Sequence, residues 1–139
     1  MNWNKLVISA KNVYKELGSG FSESIYQKAM GIELQKQHIL HSMEDVFQIK
    51  YKGVPVGFCR SDIIVYDENK KFLIELKAIA SEPGVPEFVQ VRNYLKNLEL
   101  SEGLLINFPI PSKSSKELPT NIHAFKINVE NPIVDNLNN

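Results

Sequence analysis

Three ionisable side chains lie close together in an otherwise apolar part of the sequence. Asp62 precedes the apolar residues Ile63-Ile64-Val65, and Glu75 and Lys77 are two residues apart in a second apolar run. Because the side chains of a strand alternate between its faces, Glu75 and Lys77 are predicted to lie on one side of a strand. Burying an ion costs several kcal/mol unless a metal ion or a partner compensates its charge. The pattern therefore favours a divalent-metal site that hydrolyses phosphodiesters.

The residue types fit that chemistry. Asp62 and Glu75 carry hard oxygen ligands of the kind that Mg²⁺ or Mn²⁺ prefers, and the backbone carbonyl of Leu76 would complete the protein ligands. The metal ion would lower the pKa of a bound water and polarise the phosphoryl oxygens. Lys77 would orient that water or neutralise charge on the phosphate. Taken alone, a Glu-x-Lys spacing is also common on strands, where it indicates a solvated hairpin with a surface salt bridge.

Two helical pairs add to this set. Glu23 and Tyr26 are three residues apart at a predicted helix start and are expected to share a face. Gln90 and Tyr94 are four apart, beside the apolar stripe of another predicted helix, where they could bind a phosphate or a metal-bound water. The alternatives are an acid that complements the helix dipole, for Glu23, and a half-buried tyrosine with a polar neighbour, for Tyr94.

Hydrophobic periodicity predicts elements in the order ααβββαββ, an α/β (α+β) fold with a mixed central sheet flanked by helices. Helices are predicted over 1–17, ending at Gly18, over 22–38, with Ser22 as N-cap, and from about Pro86. Strands are predicted over 45–52, 56–66, 72–78, 103–108 and 122–129. The stripes predicted to face the core are Ile25, Ala29 and Ile32 in the second helix and Phe88, Val91, Leu95 and Leu98 in the third.

Composition limits the function classes. A chain of 139 residues fits one domain, here 1–139, and a formal net charge of zero argues against tight non-specific DNA binding by bulk charge. The one cysteine, Cys59, excludes an internal disulfide and a cysteine-ligated zinc or iron–sulfur site, which suits the cytoplasm. No apolar run approaches the ~18 residues of a membrane span, and the first residues lack the apolar segment of a signal peptide.

The ordered motifs resemble a known pattern. G-x-x-E-x-x-Y over 20–26, then Asp62, Glu75-x-Lys77 and Gln90-x-x-x-Tyr94, are similar to the GxxExxY family of the PD-(D/E)xK nuclease superfamily. Further matching segments are 15–26, 51–62, 74–78, 90–96 and 103–108. The resemblance covers about 5–108, the predicted core, and leaves 109–139 as a C-terminal extension.

The resemblance implies a restriction-endonuclease-like fold and a Mg²⁺-dependent (or Mn²⁺-dependent) deoxyribonuclease. By resemblance, Asp62 and Glu75 are the metal carboxylates, Lys77 is the catalytic lysine and Glu23 is the helical acid that supports the metal. Gln90 and Tyr94 correspond to the motif of RecB-like nucleases. The sequence departs from the pattern at Ser61, where the superfamily's name has Pro, and at Glu87, where the family often has His.

Other interpretations stay open at this point. The fold could serve as a non-catalytic module that binds nucleic acid or protein, or as a metal enzyme acting on a small phosphoester, although no phosphate-binding P-loop is present. Tyr26, Arg60, Arg92 and Lys96 are weaker candidates for contact with the nucleic acid. A homodimer would enlarge the DNA footprint.

Overall fold

In a computed structural model, which describes residues 1–131 and 134–138, a six-stranded mixed sheet has helices on both faces and a two-stranded hairpin beside it. The helices are α1 (Trp3–Leu17), α2 (Glu23–Lys36) and α3 (Val85–Leu98). The strands are β1 (His41–Met43), β2 (Val46–Tyr51), β3 (Val54–Arg60), β4 (Ile63–Asp67), β5 (Lys70–Lys77), β6 (Glu102–Asn107), β7 (His123–Asn128) and β8 (Asp135–Asn136). The predicted fold class, a mixed central sheet with flanking helices, is confirmed.

The strand order of the sheet is β1-β4-β5-β6-β7-β8. β4 and β5 form an antiparallel hairpin, whereas β5 and β6 are parallel because α3 connects them across a face of the sheet. β6 and β7 are again antiparallel. No helix of the described residues is long and apolar enough to cross a lipid bilayer.

The side chains of β5 alternate between two cores. Ile74 and Leu76 belong to the core beneath α1 and α2, and Leu73 belongs to the smaller core beneath α3. Since Glu75 and Lys77 follow Leu73 at intervals of two, they lie on the α3 face of the sheet, as the strand period requires.

The first two helices have the predicted ends, but the buried stripe of α2 differs. α1 ends at Gly18, whose positive φ of 76° suits glycine. α2 follows Ser22, although that side chain makes no capping hydrogen bond. The predicted stripe is wrong, because Ile25 and Ile32 are exposed. The long side chains Tyr26, Met30 and Leu34 fill the space between α1 and the sheet instead.

The strand predicted over 56–66 is in fact two strands that belong to different sheets. β3 pairs only with β2 in the hairpin, while β4 pairs with β1, which the sequence did not predict, and with β5. The break falls at Ser61 and Asp62. The Ser61 N–H still bonds to the carbonyl of Asp45 beside β2, whereas the Asp62 N–H donates to the side chain of Glu75 and is not available to a strand ladder.

The residues after 108 continue the fold. β7 lies in the central sheet, and the hydroxyl of Tyr14 in α1 donates to the carbonyl of Pro109 at 2.6 Å. The division into a core over about 5–108 and an extension over 109–139 stays a prediction. Residues 132, 133 and 139 of that extension lie outside the described residues.

Candidate metal centre

Asp62 and Glu75 lie side by side because the break between β3 and β4 sits against the end of β5. The N–H of Asp62 donates to Oε1 of Glu75 at 2.9 Å, and the N–H of Leu76 donates to Oδ2 of Asp62 at 2.7 Å. The two carboxyl groups also share a hydrogen bond. The carboxylate of Asp62 is therefore held by a backbone amide next to Glu75, and the carboxylate of Glu75 is held by the backbone amide of Asp62. These two hydrogen bonds keep the side chains next to each other.

The electrostatics of this pair are those of two like charges kept from water. Glu75 is only 5% exposed. Its burial, followed by the charge of Asp62, raises the pKa of Glu75 to about 9. Burial also raises the pKa of Asp62, although the N–H of Leu76 acts in the opposite direction. Without a cation the pair holds a shared proton, and a divalent cation between the carboxylates would replace that proton.

Lys77 and Glu23 lie within electrostatic range of the pair. The ammonium of Lys77 opposes the rise in the pKa of Asp62, Glu75 and Glu23. Glu23 begins α2, and partial burial, with the charge of Asp62 as a smaller cause, raises its pKa. In residues 1–131 and 134–138 no three His, Cys, Asp or Glu side chains are grouped closely enough to hold a metal ion. Direct ligation by Glu23 therefore stays a prediction.

Helix α3 brings Gln90 and Tyr94 to the same place. Burial raises the pKa of Tyr94 to about 12, and a hydrogen bond with Cys59 and the charges of Cys59 and Glu75 add to the rise. The side chain of Gln90 also forms a hydrogen bond with Tyr94. The ring of Phe47 packs edge-on against Tyr94, with centroids 5.1 Å apart. The site thus lies where the end of β5, α3 and the β2–β3 hairpin meet.

Gln27 belongs to the site, and the sequence analysis missed it. This side chain is buried in α2, and its Nε2 donates to the backbone carbonyl of Asp62 at 2.8 Å. The N–H of Glu44 donates to the same carbonyl at 3.3 Å. The one available signal was the position of Gln27 one helical turn after Glu23, because the acceptor is a backbone atom 35 residues away.

Asn107 is a second residue that the sequence analysis did not single out. It is fully buried next to Lys77 in the β5–β6 register. Its side chain accepts from the N–H of Ile79 at 2.9 Å and donates to the Ile79 carbonyl at 3.1 Å. Asn107 therefore fixes the path of the chain immediately after the lysine.

Tyr26 does not lie where the sequence predicts it. Its side chain is fully buried, its ring stacks on Phe108 with centroids 4.3 Å apart, and its hydroxyl donates to the carbonyl of Gly18 at 2.6 Å. A side chain in this position is not free to contact a nucleic acid, so the expectation of that contact is wrong. The four-residue spacing of Tyr26 and Met30 carries this ring into the core.

The weaker candidates are spread over the surface. Arg60 ends β3 and is exposed, and Lys96 is exposed on α3. Arg92 is partly buried, and a guanidinium nitrogen donates to the carbonyl of Asn131 at 3.4 Å. Their contacts with nucleic acid stay predictions, as does metal ligation by the carbonyl of Leu76.

The donor set fits a divalent metal ion of the Mg²⁺ or Mn²⁺ type. Two adjacent carboxylates supply hard oxygen ligands, and a bound cation would offset the cost of burying their charges, which is the main cause of the raised pKa of both. The remaining positions of such an ion are those that water usually fills.

One protein family and several solved structures are similar to this chain. A family model, described as the PD-(D/E)XK nuclease superfamily, matches residues 2–118. The crystal structure of SSO0001 is similar with a TM-score of 0.56 and 23% identity over 76% of this chain and 50% of that chain, so this chain spans half of that protein's length. The structure of Archaeoglobus fulgidus Hjc, a Holliday junction resolvase from an archaeal hyperthermophile, is similar with a TM-score of 0.42 and 12% identity over 82% of this chain and 80% of that chain. No curated protein matches the chain.

Proposed function

The chain belongs to the PD-(D/E)XK nuclease superfamily, and on that premise we propose that it is a metal-dependent nuclease that hydrolyses phosphodiester bonds of DNA. Nucleases of this superfamily generally use divalent metal ions. The observation that carries the proposal is the adjacent, mostly buried pair Asp62 and Glu75 with Lys77 on the same strand face. As a further part of the proposal we assign the chain to the GxxExxY family, an assignment that the order of its motifs supports.

In the proposed site, Asp62, Glu75 and the Leu76 carbonyl hold Mg²⁺ or Mn²⁺. When bound, the ion supplies a water of lowered pKa and polarises the phosphoryl group. The Lys77 ammonium stabilises the negative charge that develops on the phosphate oxygens. Glu23 supports the metal site from the start of α2.

Helix α3 supplies the hydrogen-bonding side of the proposed site. The Tyr94 hydroxyl, whose pKa is raised to about 12, keeps its proton at neutral pH, as an ordinary tyrosine does, and acts as a donor. Gln90, which bonds to Tyr94, orients that hydroxyl towards a phosphate or a water. Both residues position the substrate, and neither is assigned a proton transfer.

The test is cleavage of end-labelled single-stranded, duplex and branched DNA in Mg²⁺, in Mn²⁺ and in a chelator. We expect cleavage only with metal, and a loss of about 100-fold or more in Asp62→Asn and in Glu75→Gln, because each removes a metal ligand. Glu68→Gln is the matched control, an exposed acid in the turn of the same β4–β5 hairpin.

Cleavage that survives in both site variants would refute the proposed function. Salt-dependent DNA binding with no metal-dependent cleavage by the wild type would instead favour the alternative, a non-catalytic module that retains the nuclease fold. A homodimer and a cytoplasmic location stay predictions.

A further inference from the structure

The β2–β3 hairpin has an outer face with an exposed aromatic ring. Cross-strand partners lie on the same face of an antiparallel pair, and Val46 pairs with Arg60 while Gln48 pairs with Phe58. We call these four residues the outer face. Phe58 is 68% exposed and Val46 is 58% exposed, whereas the intervening Phe47 is buried against Tyr94.

The hairpin is also a basic segment in a chain whose positive and negative charges balance as a whole. Residues 46–60 contain Lys50, Lys52 and Arg60 and no acidic residue, although the formal net charge of the whole chain is zero. The ammonium of Lys52 lies 5.4 Å from the centroid of the exposed Tyr51 ring. The positive charge of the hairpin favours a polyanion as its binding partner. It disfavours a second copy of the chain, because two such hairpins would repel each other.

The outer face leads along the chain to the metal centre. Arg60 precedes Asp62 by two residues and Phe58 precedes it by four. At no more than about 3.6 Å per residue, the Cα atoms of Phe58 and Asp62 are at most about 14 Å apart. The separation of Phe58 from the metal centre is therefore no longer than a few nucleotides of single-stranded DNA.

We propose that the outer face of the hairpin binds single-stranded DNA next to the scissile bond, with a base stacked on Phe58. The phosphates would lie on Arg60 and on Lys50, which follows Gln48 by two residues in β2 and so extends the same face. An exposed ring accepts any unpaired base, whereas the faces of a paired base are covered by its neighbours in the duplex. The inference rests on the proposed nuclease function and names its substrate class as DNA with unpaired bases.

The test is the fluorescence anisotropy of a labelled single-stranded oligonucleotide and of its duplex, measured in a chelator so that nothing is cleaved. Phe58→Ser should weaken single-strand binding about 5- to 100-fold and duplex binding by less than about twofold, since only the former loses base stacking. Lys50→Gln should reduce the slope of log affinity against log salt by about 0.7. The matched controls are Leu118→Ser, which is 72% exposed in a loop outside the hairpin, and Lys36→Gln at the end of α2.

The proposal is overturned if the wild type does not bind the single strand, if Phe58→Ser binds it as the wild type does, or if both DNA forms lose equal affinity. A dimer in sedimentation that Phe58→Ser dissociates would assign the face to a second copy and would also overturn it. Because binding is measured without cleavage, a wild type that binds through Phe58 but does not cut in Mg²⁺ contradicts only the proposed nuclease function.

Discussion

Glu75 is a buried carboxyl beside another carboxyl, so its protonation depends on whether a cation is bound. In the metal-free protein the pKa of Glu75 is about 9, against an ordinary value of 4.5. Metal binding must displace the proton that Glu75 shares with Asp62. The affinity for Mg²⁺ or Mn²⁺ is therefore expected to rise with pH until the pair is ionised.

The same shift makes the stability of the metal-free protein depend on pH. Between about pH 4.5 and 9 the folded state binds more protons at Glu75 than the unfolded state does, so the free energy of unfolding falls as pH rises. Glu75→Gln removes this titration, keeps a hydrogen-bonding side chain and should raise the melting temperature at pH 8 by about 4 °C for each kcal/mol relieved.

The measurement is thermal unfolding in a chelator from pH 5 to pH 8.5. Glu75→Gln should show a flatter pH dependence than the wild type, and Glu68→Gln should follow the wild type. Equal slopes for the wild type and Glu75→Gln would contradict the account of the carboxyl pair.

Tyr26 is a structural residue in this account, and its hydroxyl provides the test. Tyr26→Phe removes the bond to the carbonyl of Gly18, so the free energy of unfolding in urea should fall by about 1–3 kcal/mol. The cleavage rate of the folded variant should stay within about twofold of the wild type. If the folded variant keeps its stability but loses much of its DNA affinity, Tyr26 contacts the nucleic acid after all.

At the scale of elements, Gln27 connects α2 to the metal centre. Asp62 lies between two strands rather than within one, and Gln27 and the N–H of Glu44 hold its carbonyl. Glu23 stands one turn earlier on the same helix. The hydrogen bond from Gln27 therefore sets the position of Glu23 relative to Asp62.

Gln27→Met should weaken Mn²⁺ binding about 10- to 100-fold, the usual effect of losing a residue that orients a metal ligand. The measurement is a calorimetric titration, paired with urea unfolding. Gln37→Met is the control, because Gln37 is hydrogen-bonded to Ser9 at the far end of α2. If the two variants lose the same stability and both keep the wild-type affinity, Gln27 has no positioning role.

The sequence was informative where local physics decides the structure. Periodicity and Gly18 predicted α1, and the apolar run before Phe108 predicted β6. The break at Asp62 could not be predicted, because it depends on Asp45, Glu75 and Gln27, which are distant in sequence. In the site, the spacing of Glu75 and Lys77 predicted their shared face, whereas Gln27 binds a backbone atom and leaves no motif.

For the whole molecule, the metal centre depends on several elements at once. The end of β5 supplies Glu75 and Lys77, the start of α2 supplies Glu23, and α3 supplies Tyr94. The basic hairpin borders the same place in a chain of zero net charge. Substrate attraction is therefore local, and the fold as a whole serves to bring these elements together.

Anomalous diffraction from crystals soaked in Mn²⁺ would locate the metal ion directly. We expect a Mn²⁺ peak at about 2.0–2.3 Å from carboxylate oxygens of Asp62 and Glu75, with the Lys77 ammonium a few ångströms away. Crystals of Asp62→Asn soaked in the same way serve as the control and should lose the peak. A Mn²⁺ peak elsewhere, or none at this pair in crystals that bind Mn²⁺, would contradict the claim that Asp62 and Glu75 form the metal site.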